Sequence, residues 1–143
     1  MKGWTAKPDG VVNNNPKQKQ KTLKIRNNNG TEQVFDPIRK KWVAFTEEEK
    51  VRQFFILQLI NELKIPASHI SVERKITLNG LTKRYDIVVY KEAKPWMVVE
   101  CKAPTVPLTQ EVLDQAGRYN QTLKAEIIGV TNGVEQRFFN FNS

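Results

Sequence analysis

From Thr46 the chain reads as a helix that is apolar around much of its circumference. Val51, Phe54, Phe55, Ile56, Leu57, Leu59, Ile60 and Leu63 recur at helical spacing, which predicts heavy burial. Thr46-Glu47-Glu48-Glu49 matches a capping box, with the Thr46 hydroxyl at the N-cap and the Glu49 side chain expected to reach back to it. Acids in the first turn suit the positive end of the helix dipole. Pro66 sets the limit, so the helix is expected to run to about Lys64.

Beyond Pro66 the period shortens to that of strands. Residues 70–78 and 83–90 are β-rich runs separated by Asn79-Gly80, and Asn-Gly tolerates the positive φ angles of a type I′ hairpin turn. The polar stretch KEAKP reads as a short loop to a third strand over residues 96–102. Residues 109–124 have helical composition, with Val112, Leu113, Ala116, Tyr119 and Leu123 at suitable spacing. Ile127-Ile128-Gly129-Val130 reads as a short core strand, and Thr131-Asn132-Gly133 turns it into a last strand over residues 135–141. The order α-β-β-β-α-β-β predicts an α/β protein of the α+β kind, a mixed sheet flanked by helices. Its first strands form an antiparallel hairpin, and the crossover through the second helix is parallel and right-handed.

Residues 1–33 lack sustained periodicity, although TLKIR (22–26) has strand character. Order is expected from Val34, where VFDPIRKKWVAF reads as a packed lead-in anchored by Phe35, Ile38, Trp42 and Phe45. The expected division is a basic, Asn/Lys-rich flexible segment over residues 1–33 and one domain over residues 34–143. The 143 residues suffice for one domain with a core. No apolar run approaches the roughly 20 residues of a membrane span, and MKGWTAKPDG lacks the apolar stretch of a secretory signal. The single cysteine, Cys101, excludes an internal disulfide and a cysteine-based zinc cluster. A cytoplasmic protein is the expectation.

Charge changes the picture only locally. The net charge is +8, of which residues 1–26 supply +6 (seven Lys or Arg against one acid) and residues 27–143 only +2 (sixteen against fourteen). A basic arm that contacts phosphates and a merely solvated lead-in both fit this distribution.

Candidate chemistry gathers at the end of the third strand, in WMVVECKAP. Alternate side chains share a strand face, so Glu100 and Lys102 point one way and Cys101 the other. On the preceding strand Tyr85, Ile87 and Val89 are expected on one face, and Arg84, Asp86 and Val88 on the other. Pairing of the two strands then brings Asp86 to Glu100 and Lys102. Two carboxylates with few other ligands are what magnesium uses when it keeps waters and takes phosphate oxygens, and the Cys101 carbonyl is a further candidate ligand. Such an ion offsets phosphoryl charge and acidifies a bound water, while a lysine supplies a compact positive charge. The simpler alternative for a Glu-x-Lys strand end is a surface ion pair.

Asp86 followed by Glu100-Cys101-Lys102 resembles the D…(D/E)-x-K signature of the PD-(D/E)XK nuclease superfamily. The words FDPIRKKWVAFTEEEKVRQ, KRYDIVVY, PWMVVECKAP, QAGRYN and VTNG together resemble the N-terminal domain of type I restriction enzyme R subunits. That resemblance implies a restriction-endonuclease-like αβββαβ core and a DNA endonuclease that uses Mg²⁺, with Mn²⁺ able to substitute. It implies Asp86 and Glu100 as metal ligands and Lys102 beside the water or scissile phosphate. Gln115 and Tyr119 match the supporting Q-x-x-x-Y motif. An acid on the first helix is also implied, and Glu48 lies nearest the apolar face that centres on Arg52. Two features depart from the pattern. Tyr85-Asp86 stands in place of Pro-Asp, and no G-x-x-x-x-G-K-[ST] run marks a translocase motor among these residues.

Lys83 and Arg84 are candidates for phosphate contact, or an ordinary solvated hairpin flank. Tyr119 is a further candidate contact to nucleic acid. His69 reads as a surface residue, Cys101 as a small core hydrophobe, and Trp42 and Trp96 as packing anchors. DNA, restriction-modification or helicase subunits, and a second copy of the chain are the implied partners, with no membrane. The alternatives are a binding module that keeps the fold without cutting, and a nuclease selective for repair intermediates or junctions.

Overall fold

The computed structural model describes residues 21–141. Two sheets organise them. The smaller is an antiparallel meander of β1 (Ile25–Asn28), β2 (Thr31–Asp36) and β3 (Lys41–Ala44). Strand pairing therefore starts at Ile25, upstream of the Val34 start expected from the sequence. The reason is Asn29-Gly30, whose φ angles of 53° and 86° make the same tight turn that Asn79-Gly80 makes later. Ile25 then pairs with Val34, whose side chain is fully buried. The lead-in VFDPIRKKWVAF is consequently a hairpin. Of its expected anchors, Ile38 packs against the core. Phe35 and Trp42 instead lie half-buried, paired edge-to-face with each other across β2 and β3.

Helix α1 (Glu47–Asn61) comes next, with the Thr46 Oγ1 accepting from the Glu49 amide at 3.1 Å. It ends short of Lys64. That residue adopts φ 58°, and the Ile65 amide turns back to the Leu59 carbonyl at 3.0 Å, which closes the helix in a left-handed cap. A 3₁₀ turn (Ala67–His69) carries exposed His69 to the second sheet.

That sheet runs in the order β4 (Ile70–Leu78), β5 (Leu81–Lys91), β6 (Lys94–Cys101), β7 (Ile127–Thr131), β8 (Gln136–Asn140). Only the β6–β7 pair is parallel, and helix α2 (Gln110–Leu123) makes the crossover. The expected order of elements is thus observed. KEAKP is tighter than expected, because Glu92 and Ala93 both take positive φ (51° and 63°) and β6 begins at Lys94.

The two helices cover opposite faces of the sheet. Phe55, Ile56 and Leu59 of α1 pack on Ile87, Met97 and Val99. Leu113 and Ala116 of α2 pack on Val88, Val98 and Ile128. Burying α1 on one side leaves Phe54 59% exposed, although it had read as part of the buried face. Cys101 is buried in the α1-side core, as expected of a small hydrophobe.

Gly129 of β7 is required for space. A Cβ there would lie 2.5 Å from the ring of Phe138, which is buried and stacked on Phe55. Gly129→Ala is expected to destabilise the domain by about 1–3 kcal/mol through overpacking, read as a lower midpoint in urea denaturation.

Candidate active site

The site forms where the β5–β6 ladder opens. Its last pair at that end is Ile87 with Val99. The Asp86 carboxylate then enters between the strands, and its Oδ2 accepts the Cys101 amide at 2.8 Å. A side chain thus replaces the next ladder bond and pins Asp86 beside the Glu100-Cys101-Lys102 end of β6. On the other side of β5, Val72 pairs with Ile87 and Arg74 with Tyr85, while Glu73 between them adopts φ 56°. A positive φ on glutamate is uncommon and belongs to strained positions. Glu73, Asp86 and Glu100 therefore succeed one another across β4, β5 and β6.

This interruption overturns the expected alternation of faces. Ile87 and Val89 pack on the α1 side, whereas Tyr85 packs on the α2 side and donates to the Tyr119 carbonyl at 3.1 Å. Asp86 turns its Oδ1 toward α1, where Arg52 Nη2 donates to it at 3.2 Å. Arg52 is 4% exposed and also donates to Glu73 at 2.7 Å and to Glu49 at 2.6 Å. One buried guanidinium therefore joins three carboxylates.

The chain of charges continues away from the site. Arg39 Nη2 donates to both oxygens of Glu49 at 2.9 Å, and Arg39 Nε donates to Asp36 at 2.6 Å. Asp36 is fully buried and also accepts from the Ile38 and Arg39 amides and from Gln53. The Glu49 side chain is accordingly held by Arg39, Arg52 and Gln53. It does not close the capping box, because two arginines outcompete one backbone amide for a carboxylate.

Glu100 is the most perturbed carboxyl of the site, its pKa pushed up to about 8. Burial is the main cause and the Asp86 charge the second, with Lys102 and Lys83 opposing them. Its Oε1 is buried without a hydrogen-bond partner. Lys102 is half-buried, and its charge acts on both Glu100 and Glu48. Glu48 keeps contact with solvent, yet partial burial and then the Asp86 charge raise its pKa, which places it within electrostatic reach of the pair. Burial pushes the Cys101 thiol up, so that side chain stays neutral in the core.

The remaining sequence candidates divide between the two faces. On the α2 side, Gln115 Nε2 donates to the Tyr119 hydroxyl at 2.9 Å, and Lys83 Nζ sits 2.9 Å from the centroid of the Tyr119 ring. Hydrogen bonding to Lys83 is the main reason the Tyr119 hydroxyl pKa is lowered. On the α1 side, exposed Arg84 pairs with Glu73 at 3.5 Å. There a polar cleft of about 670 Å³ is bordered by Arg39, Glu48, Arg52, Glu73 and Arg84. Among the described residues, no group of three or more His, Cys, Asp or Glu side chains is drawn together as a ready-made metal cage.

Sequence reasoning missed Arg52, Glu73, Arg39 and Asp36. Arg52 and Gln53 carried a usable signal, since both interrupt the apolar run and both are buried. Glu73 carried none, because nothing in ISVERKITL marks a left-handed residue.

These elements make a mixed α/β domain that presents an acidic pair and a lysine at the end of a central strand. Residues 47–143 match the family described as the type I restriction enzyme R protein N terminus, and the chain belongs to that family. No curated protein matches the chain. The matched span begins with α1, so it contains the five-stranded sheet and the acidic pair and leaves the meander outside.

The Glu100 shift sets a pH dependence. A carboxyl whose folded pKa lies near 8, against about 4.3 unfolded, binds more protons in the folded state between those values. Its stabilising contribution is complete below about pH 4 and is lost as pH rises toward 8. Glu100→Gln removes this loss. Between pH 5 and pH 8 in metal-free buffer, the wild type should lose at least about 1.4 kcal/mol, the equivalent of one pKa unit, relative to that variant in chemical denaturation.

Proposed function

We propose that the domain is a metal-dependent DNA endonuclease of the PD-(D/E)XK type, acting in a restriction system. The observation that carries this reading is the meeting of Asp86 and Glu100 at the opened end of β6, with Lys102 beside them, in a chain of the R protein N-terminal family.

The residues present suit a divalent ion. The Asp86 charge raises the cost of ionising Glu100, and the partnerless buried Oε1 of Glu100 lacks the compensation that a cation would supply. Asp86, Glu100 and the Cys101 carbonyl would hold Mg²⁺ or Mn²⁺, with Glu48 in reach as an outer acid. When bound, the ion supplies charge compensation for phosphoryl oxygens and acidifies a coordinated water.

The chain's own groups do the rest. The Cys101 amide and Arg52 fix both oxygens of Asp86, so that side chain is oriented before substrate arrives. Lys102 brings positive charge to the phosphate or the attacking water without requiring a fixed plane. Lys83 on the Tyr119 ring, and Arg84 on the opposite face, place cations on both sides of the site where a DNA backbone would pass. Gln115 fixes the Tyr119 hydroxyl and thereby the Lys83 platform. Methyltransferase or helicase subunits, and a second copy for cutting both strands, are the partners this reading requires.

A second reading has its own support. Arg52 already occupies Asp86 Oδ1, which suits a module that binds nucleic acid or partners without cutting.

Cleavage assays separate the two. Asp86→Asn and Glu100→Gln are each expected to reduce Mg²⁺- or Mn²⁺-dependent cleavage of DNA at least about a hundredfold, the scale of losing a transition-state charge contact, with folding retained by circular dichroism. Cleavage at the wild-type rate in either variant rules out the nuclease reading, and absence of cleavage by the wild type on single-stranded, duplex and branched DNA favours the module.

A further inference from the structure

The meander lies outside the residues that match the R protein family, and its two faces are unlike. Strand register puts Ile25, Val34 and Val43 on the inner face, and Arg26, Gln33, Phe35 and Trp42 on the outer one. On that outer face Phe35 and Trp42 meet edge-to-face, with ring centroids 5.5 Å apart. Each ring carries a cation. The Arg26 guanidinium lies 4.2 Å from the Trp42 centroid, and Lys24 Nζ lies 5.9 Å from that of Phe35. Arg26 is aimed further by its hydrogen bond to Gln33 at 2.8 Å. Both cations are exposed, and both rings are half-buried.

Val34 is the fully buried anchor of the inner face and Ile25 beside it is 50% exposed; the paired rings and their cations gather on the other side. Charge points outward as well. Residues 21–44 hold six Lys or Arg against two acids, and one of those acids, Asp36, is buried against Arg39. Aromatic rings interleaved with exposed cations meet the two needs of an unpaired strand, a surface for base stacking and counter-charge for phosphates. Duplex DNA offers phosphates but hides its base faces. The meander also borders the site through β3. Lys41, Val43 and Ala44 of β3 border the same cleft as Glu73, Arg84 and Arg52.

We propose that the outer face of the meander, formed by Lys24, Arg26, Phe35 and Trp42, is a docking platform for a single-stranded segment of DNA. The proposal deepens the nuclease reading by naming an unpaired strand as the substrate class. It rests on that reading only for the cleavage step, not for binding.

The test is binding of a fluorescently labelled oligo-dT and of a duplex of equal length to the full chain in EDTA, read by anisotropy across a salt series. The wild type should prefer the single strand. Trp42→Ala should weaken oligo-dT binding by about 5- to 160-fold, the range for one base–aromatic stack, and affect the duplex less. Arg26→Gln should reduce the slope of log affinity against log salt by about 0.7, the share of one phosphate contact on a single strand. Thermal melting confirms that each variant is folded. Unchanged oligo-dT affinity in Trp42→Ala overturns the proposal, as does a wild-type preference for duplex. If Trp42→Ala does not fold, an unchanged salt slope in exposed Arg26→Gln overturns it. Because no metal is present, these results stand whether or not the domain cuts DNA.

Discussion

Burial of the Arg52 guanidinium governs how the domain is put together. A guanidinium removed from water is costly unless its charge is matched and its donors are used. Here its charge is matched through Nη1 and Nη2 by carboxylates from three directions, Glu49 on its own helix, Glu73 on β4 and Asp86 on β5, while its Nε is left without a partner. Each carboxylate also has a second partner: Arg39 for Glu49, Arg84 for Glu73 and the Cys101 amide for Asp86. The arrangement ties α1 to the sheet at two neighbouring strands. Arg39 extends the same logic to the meander through Glu49 and Asp36. A continuous run of ion pairs therefore connects the first sheet to the residue that opens the β5–β6 ladder.

The ladder opening and the charge network serve each other. Asp86 can accept the Cys101 amide because the strands part after Ile87 and Val99. Its other oxygen faces α1 because the strand's alternation breaks beside Glu73. The result is an asymmetric pair. Asp86 is hydrogen-bonded through both oxygens by Arg52 and the Cys101 amide, whereas Glu100 is buried against the Asp86 charge, which is why its pKa rises. Two carboxylates in such different environments at one strand end are the feature that a cation-dependent phosphodiester chemistry would exploit.

Much of this was legible in the amino-acid sequence. The Asn79-Gly80 hairpin, the Thr46 cap, the parallel crossover and the meeting of Asp86 with Glu100 all come from period, turn chemistry and strand pairing. The meander was legible too, in the Asn29-Gly30 turn, but two runs of asparagine in a basic head masked it. What the sequence did not disclose is tertiary in origin. Whether Glu49 caps its own helix or pairs with Arg39 is decided by a turn ten residues upstream. Whether Tyr85 joins Ile87 or crosses to α2 is decided by the backbone of Glu73 on the neighbouring strand. Local pattern holds no record of either.

The nuclease reading stands or falls on Asp86 and Glu100 forming one cation-binding site. The decisive measurement is calorimetric titration of Mn²⁺ into the whole chain, with the wild type, Asp86→Asn and Glu100→Gln compared at equal pH and salt. Saturable binding by the wild type is expected, with loss of that binding in both variants while each remains folded. Saturable binding of equal strength in all three proteins would contradict a shared site.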